Sequence, residues 1–318
     1  MRNPALVIAG AALALGLTAC GSAGPSGSNN ASGSPGGANV KIGMTLSTLN
    51  NPYFVQLRDG AQAEAQKAGA TLTVTDAQND ASQQVNQVQN FASQAMKAII
   101  LNPVDSDAAA PAAKAAQRAN IPVIAADRGV NGVEVAQTVA SDNVTGGKLA
   151  AQELAELLGH KGQVVVLQGV AGTSAARDRG QGFTEGIKAF PNIQVVAQQP
   201  ADFDRTKGLD VMTNLLQSNP GIDGVFAEND EMALGAIKAL GAKAGKEVKV
   251  VGFDGTPDGL KAVKAGTMNA SVAQQPTLLG QQAVAAAVKA ARGEKIDKTV
   301  AVPVKVATTE NVDEFKID

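Results

Sequence analysis

From residue 40 onward, short aliphatic runs alternate with segments long enough to form helices. The runs are VKIGMTL, TLTVTD, KAIILN, PVIAAD, QVVVLQG, IQVVAQ, DGVFAE, VKVVGFD and NASVAQ. Between them lie segments such as FVQLRDGAQAEAQKAG, ASQQVNQVQNFASQAM and DAAAPAAKAAQRAN. Most of the runs are apolar almost without interruption, which suits strands covered by helices on both faces. Alternating strands and helices imply parallel pairing, since a parallel strand needs a crossover connection. With 318 residues, 44% of them hydrophobic, the chain suits two α/β lobes better than one very large sheet.

Polar residues concentrate where the runs end. The segments after the runs are STLNNPYF, NPVDSD, DRG, VAGTSAARDRG, ND, DGTPDG and QQP. Open parallel sheets bind ligands outside the carboxyl ends of their strands, so these segments line one cleft in this reading. The chain has eight Phe, one Tyr and no Trp. Tyr53, Phe54, Phe203 and Phe253 fall in or beside the polar segments. Aromatic faces stack on the C–H faces of a sugar ring, while amides and carboxylates meet its hydroxyls.

Taken singly, each residue has a plainer explanation. Asp127-Arg128 reads equally well as a helix cap beside a solvated charge, and Asp254 before Gly255 as turn chemistry. Asp230 and Glu231 suit a helix start. Phe203 could pack under a loop, and Asn51 before Pro52 is a common helix entry. These separate readings leave the shared edge unexplained.

Composition excludes several functions. Net charge is −2 and the basic residues are dispersed, so no phosphate-binding face and no nucleic-acid partner is expected. One Cys and one His rule out a disulfide framework and a Cys/His metal cluster, and no cofactor or metal is implied. The single imidazole, His160 in LLGHKG, reads as a helix C-terminal cap rather than a catalytic base.

The chain begins MRNPALVIAGAALALGLTAC. Its apolar run is short for a membrane span and comes after one Arg, as in a secretory signal. LTAC resembles the lipobox of bacterial lipoproteins, which implies a signal peptide over 1–19 and lipidation of Cys20. Residues 21–38, GSAGPSGSNNASGSPGGA, lack charge and large apolar side chains, so 20–38 reads as the lipidated Cys plus a flexible tether. The folded part is then expected outside the cytoplasm, lipid-anchored to the membrane in the periplasm or at the cell surface.

NVKIGMTLSTLNNPYF, LNPVDSDA, IPVIAADR, LQGVAGTSAARDRGQGF, QPADFDRTKGLDVMTNLL, AENDEMALGA and VVGFDGTPDG strongly resemble the ribose-binding members of the periplasmic binding proteins, the solute receptors of ABC-type sugar importers. The likeness runs from about 40 to about 304. It implies two Rossmann-like doubly wound parallel-sheet lobes joined by a three-strand hinge, the type I arrangement, with crossings near 141, 274 and 304. One lobe would take 39–141 plus 275–304, the other 142–274 plus 305–318.

The resemblance also implies the site. The N-terminal lobe would give Asn51, Tyr53, Phe54, Asn102, Asp127 and Arg128. The C-terminal lobe would give Arg179, Phe203, Asn229, Phe253 and Asp254, with Gln274 at the hinge. The aspartates would accept from ring hydroxyls, the arginines donate to sugar oxygens, and the four aromatics sandwich the ring. Two positions depart from the family pattern: Tyr53 where Phe is expected, and Glu228 where Gln is expected. The implied role is capture of D-ribose or a closely related monosaccharide by a monomer, and delivery to a membrane permease. Alternatives are a receptor for another pentose, hexose or furanose-like signal serving chemotaxis or sensing, and a glycosidase pairing Asp127 with Asp254. Sugar-responsive repressors resemble the same two-lobe module but carry an N-terminal helix-turn-helix, where this chain has a signal segment and a tether.

Overall fold

The computed structural model describes residues 40–315. The expected signal peptide over 1–19, Cys20, the expected tether to residue 38 and the last three residues lie outside the described residues.

The first half of the fold runs β1 (Lys41–Leu46), α1 (Pro52–Lys67), β2 (Thr71–Asp76), α2 (Ala81–Ser93), β3 (Ala98–Leu101), α3 (Ala110–Arg118), β4 (Val123–Ala126) and β5 (Gln137–Ser141). The second runs α4 (Asn143–Leu157), β6 (Gly162–Gln168), α5 (Ser174–Ile187), β7 (Ile193–Pro200), α6 (Arg205–Ser218), β8 (Gly224–Ala227), α7 (Asp230–Leu240), β9 (Lys249–Asp254), α8 (Pro257–Lys264) and β10 (Ala270–Ala273). The chain then forms α9 (Pro276–Ala291), β11 (Thr299–Val302) and β12 (Lys305–Thr308).

The strands form two six-stranded sheets, ordered β11-β5-β4-β3-β1-β2 and β12-β10-β9-β8-β6-β7. Every pairing is parallel except β10 with β12. Each lobe is thus an α/β doubly wound sheet. The chain passes from the first sheet to the second between β5 and α4. It returns between β10 and α9, which packs on α1, and crosses again between β11 and β12.

The strand period of two explains why both faces of each sheet are buried. Ala98 and Ile100 of β3 join a cluster with Leu57 and Ala61 of α1 and Leu279 and Ala283 of α9. Ile99 and Leu101 face the other way, toward Val88 and Phe91 of α2 and Ala112 and Ala116 of α3. In the second lobe, Val164 and Val166 of β6 pack under α4 and α5, and Val165 and Leu167 under α6 and α7. Each buried Val, Leu, Ile or Phe among them contributes about 1.5–3 kcal/mol.

Close packing between α4 and α5 depends on a glycine. A Cβ on Gly147 of α4 would lie 2.2 Å from the backbone oxygen of Arg179 in α5. The bare glycine lets α5 approach α4 and so places the Arg179 guanidinium under the carboxyl ends of β8 and β9. Among the described residues, no helix is long and apolar enough to cross a membrane. No described group of three or more His, Cys, Asp or Glu could hold a metal ion.

Candidate ligand cleft

The carboxyl ends of both sheets face each other across a small cavity of about 20 Å³, lined by Asn51, Tyr53, Phe54, Asp127, Arg128, Ala175, Arg179, Phe203, Asn229 and Asp254. Nine of these ten are among the twelve residues that the family resemblance implies. The other three, Asn102, Phe253 and Gln274, stand behind the wall. Ala175, in the first turn of α5, lines the cavity without any signal in the sequence beyond its neighbours.

On the first lobe, Asn51 caps α1, its Oδ1 accepting from the Tyr53 N–H at 2.9 Å. Its plain reading as a helix entry and its place on the wall both hold. Asp127 comes after β4 with φ +67, a left-handed conformation that costs a non-glycine residue about 1–3 kcal/mol and turns its carboxylate inward. Asn102 spends its amide on the framework. Its Oδ1 accepts from Ser47 N–H at 2.9 Å, and its Nδ2 donates to the Ala126 carbonyl at 3.1 Å and to Asp127 Oδ2 at 3.3 Å. The buried Gln84 of α2 holds the same turn, donating to the Asn102 carbonyl at 2.8 Å and accepting from Val104 N–H at 3.0 Å. Gln84 has no mark in the sequence, because its helix reads as an ordinary polar one.

Arg128 donates from Nη1 to the Pro103 carbonyl at 2.9 Å. Its Nε lies 3.6 Å from Asp127 Oδ2 and has no hydrogen-bond partner. The guanidinium sits 5.2 Å from the Phe54 ring centre and 5.6 Å from that of Phe203. Burial holds its pKa below the usual arginine value, partly offset by Asp127.

On the second lobe, Arg179 is fixed on several sides. Nε donates to Asn143 Oδ1 at 2.9 Å; Nη1 donates to the Glu228 carbonyl at 2.6 Å and to Asp254 Oδ1 at 3.3 Å. Its guanidinium lies 3.9 Å from the Phe253 ring centre. Phe253 is therefore not on the cavity wall where a sandwich would need it. It is fully buried with Phe183 and Phe226 in the core beneath α4, and braces Arg179 from below. Phe203 does face the cavity, and Asp202 and Phe203 adopt successive left-handed conformations, φ +52 and +59. Asn229 caps α7, accepting from Met232 N–H at 2.9 Å and donating to the Phe203 carbonyl at 3.3 Å.

Asp254, at φ +119, mirrors Asp127. Burial pushes its pKa well above the usual carboxylate range against the pull of Arg179, and Asp230 adds to the rise. Asp230 itself is wholly buried, accepting from Thr256 N–H, Thr256 Oγ1 and Ser271 Oγ. Burial brings it up to about 6. It is more than the dipole-complementing helix start its sequence suggests.

Glu228 is buried behind β8. Its Oε2 accepts from Gly169 N–H at 2.7 Å and its Oε1 has no partner. Burial, largest of the causes, raises its pKa to about 7. A Cβ on Gly169 would stand 2.0 Å from the Phe203 ring, so Glu228 holds the strand end on which Phe203 rests.

The lobes touch directly. Ser174 N–H donates to Ser106 Oγ at 3.0 Å, Gly129 N–H to Ser174 Oγ at 2.9 Å, and Ser106 N–H to the Gly172 carbonyl at 3.0 Å. A further link runs through the hinge. Tyr53 Oη lies 2.7 Å from Asp127 Oδ1 and 3.0 Å from Gln274 Oε1, and Gln274 Nε2 donates to Asp254 Oδ1 at 2.7 Å. His160 lies elsewhere, exposed at the end of α4 beside Glu156 and Phe190.

Two doubly wound lobes, crossed three times by the chain and enclosing a polar cavity between strand ends, define a binding protein that closes on a small solute. The chain belongs to the periplasmic binding protein family, whose domain model matches residues 42–295. It is 49% identical over 265 residues to the ribose import binding protein of Escherichia coli, covering 83% of this chain and 89% of that protein. It is 47% identical over 267 residues to the ribose import binding protein of Bacillus subtilis, covering 84% and 87%. A solved ABC transporter solute-binding protein from Bacillus halodurans, with bound myo-inositol, superposes with a TM-score of 0.82 at 38% identity, covering 88% of this chain and 98% of that one.

Proposed function

We propose that this protein is an extracytoplasmic solute receptor that captures D-ribose, or a closely related monosaccharide, between its lobes and delivers it to an ABC-type permease. The observation that carries the reading is the matched pair of charges at the cleft, Asp127 with Arg128 from one lobe and Asp254 with Arg179 from the other. Carboxylates accept from sugar hydroxyls and guanidinium groups donate to sugar oxygens, while Phe54 and Phe203 offer ring faces.

Binding needs both lobes at once, so the sugar shifts an open–closed equilibrium. The closed form is what the permease would recognise. A pentose has about ten heavy atoms, which sets a ceiling of about −15 kcal/mol at the best ligand efficiencies. Micromolar capture needs only about −8 kcal/mol. A wrong epimer leaves a buried polar group unpaired at about 1–3 kcal/mol, which supplies selectivity. No bond needs to break, and the protein acts as a carrier rather than an enzyme. Lipidation at Cys20 would hold it near the permease, as a monomer.

A second reading keeps the mechanism and changes the sugar. The Tyr53 hydroxyl supports it, because it occupies the space between Asp127 and Gln274 where the family pattern has a bare ring. Titration calorimetry decides between them. Protein stripped of sugar by unfolding and refolding is titrated with D-ribose, D-xylose, D-arabinose, D-allose, D-galactose and D-glucose. One-to-one binding of ribose alone supports ribose uptake. Heat with another sugar only selects the second reading, and heat that continues after saturation reveals turnover.

A further inference from the structure

Four side chains form a line from one lobe to the other: Asp127, Tyr53, Gln274 and Asp254. Its three polar links measure 2.7, 3.0 and 2.7 Å. All four residues are buried where the lobes meet. Each link needs one hydrogen. With both aspartates ionised, only two are available: one on the Tyr53 hydroxyl and one from the Gln274 amide.

Turning the amide over leaves the count unchanged. In one orientation, Gln274 Nε2 serves Asp254 and the single Tyr53 hydrogen must choose between Asp127 and Gln274 Oε1. Reversed, Nε2 serves Tyr53, the hydroxyl serves Asp127, and Gln274 Oε1 faces Asp254 Oδ1 with nothing between them. Either way one link brings two acceptors together, and a buried group left unpaired costs about 1–3 kcal/mol.

We propose that closing the cleft takes up one proton into the Asp127–Tyr53–Gln274–Asp254 line, and that Tyr53 is the positioning residue that makes this proton necessary. Without the hydroxyl, the line reduces to the Gln274–Asp254 link, which its own amide hydrogen satisfies. The proton comes from solvent and resides on one of the two aspartates, hydrogen-bonded along the line. The inference rests on the sugar-receptor reading only in that a sugar drives closure.

The surrounding charges divide. Arg179 of α5, 3.3 Å from Asp254, and Arg128, 3.6 Å from Asp127, favour ionised carboxylates. Burial, Asp230 of α7 and the repulsion between Asp127 and Asp254 themselves favour the proton, and Asp254 is accordingly raised. The line uses Oδ1 of each aspartate; Asp127 Oδ2 accepts from Asn102 Nδ2 at 3.3 Å, and Asp254 Oδ1 also accepts from Arg179 Nη1 at 3.3 Å.

Linkage sets the sign. The closed state holds a proton that an open, solvated carboxylate pair releases above about pH 4. Sugar affinity therefore falls as pH rises through the closed-state titration, by up to tenfold per pH unit. Calorimetry with ribose, or whichever sugar binds, at neutral pH in phosphate and in Tris reads the proton directly. The wild type should show an apparent enthalpy that differs between the buffers by up to the difference between their ionisation heats per proton, and Tyr53→Phe should show the same enthalpy in both. Equal enthalpies in the wild type, or an unchanged difference in Tyr53→Phe, overturn the proposal while leaving the receptor reading intact.

If no sugar gives heat, the receptor reading fails and a locked form still decides the proton. Ser106→Cys with Ser174→Cys can join the lobes where those two residues already touch. Tyr53 is the only tyrosine and the chain has no tryptophan, so intrinsic emission reports this line alone. The locked protein should show an emission step with pH that Gln274→Leu abolishes. A flat profile, or the same step in Gln274→Leu, overturns the proposal.

Discussion

Both lobes bring an aspartate in a left-handed conformation and an arginine to the cleft, yet the two pairs are built differently. In the second lobe, Arg179 is pinned by Asn143, the Glu228 carbonyl and Asp254, and rests on Phe253. In the first, Arg128 is anchored at one end by the Pro103 carbonyl, and its Nε is left without a partner beside Asp127. Arg179 is braced on several sides, whereas Arg128 keeps a buried Nε that no protein group accepts. This difference predicts that the second lobe's pair contributes more to stability than the first lobe's.

Removing each arginine is the most forceful way to break that comparison. Arg179→Ala strands the buried Asp254 carboxylate, the Glu228 carbonyl and Asn143, so denaturant unfolding should show a loss of about 3–5 kcal/mol. Arg128→Ala should cost clearly less stability. Equal losses would end the distinction.

Glu228 sharpens it, since this carboxyl lies behind the second lobe's pair alone. Its folded pKa of about 7 exceeds the ordinary value of 4.5. The folded state then binds the extra proton between those values, so this contribution to stability is present below about pH 4.5 and is lost as pH rises through 7. Glu228→Gln should remove the loss, raising stability at pH 8 by about 3 kcal/mol and leaving pH 4 nearly unchanged. Urea midpoints at the two pH values check it.

On the first lobe the expected effects appear in affinity. Asp127→Ala and Arg128→Ala should each weaken sugar binding tenfold or more, about 1.4 kcal/mol upward, by calorimetry. An unchanged isotherm for either removes that residue from the site. The smallest effect belongs to His160, far from both pairs. His160→Asn should change stability and affinity by less than about 0.5 kcal/mol, because asparagine tolerates its φ of +64.

Much of this was legible in the residues. AIIL and VIAA are fully buried strands, and their unbroken apolar character said so. The polar strand ends announced a shared edge. QTVAS, TVAV and KVAT did not announce β5, β11 and β12, since they are short and partly exposed. Their pairing is fixed by where the chain crosses between sheets, which periodicity cannot encode. The same limit applies within the site. Asn102, Gln84, Phe253 and Gln274 are held by partners as far as 221 residues away, and nothing local separates a wall residue from the one bracing it. Glu228 stood out only as a departure from the family pattern, and nothing local showed that its carboxyl would lie against Gly180 and accept from Gly169 N–H.

Sugar binding is expected to draw the two halves of the cleft together. Small-angle X-ray scattering of the sugar-stripped protein, before and after saturating ribose, tests this most directly. The radius of gyration should shrink with ribose, and in Arg128→Ala the same shrinkage should need at least tenfold more ribose. Ribose that binds tightly while the wild-type radius stays constant would contradict closure as the functional event.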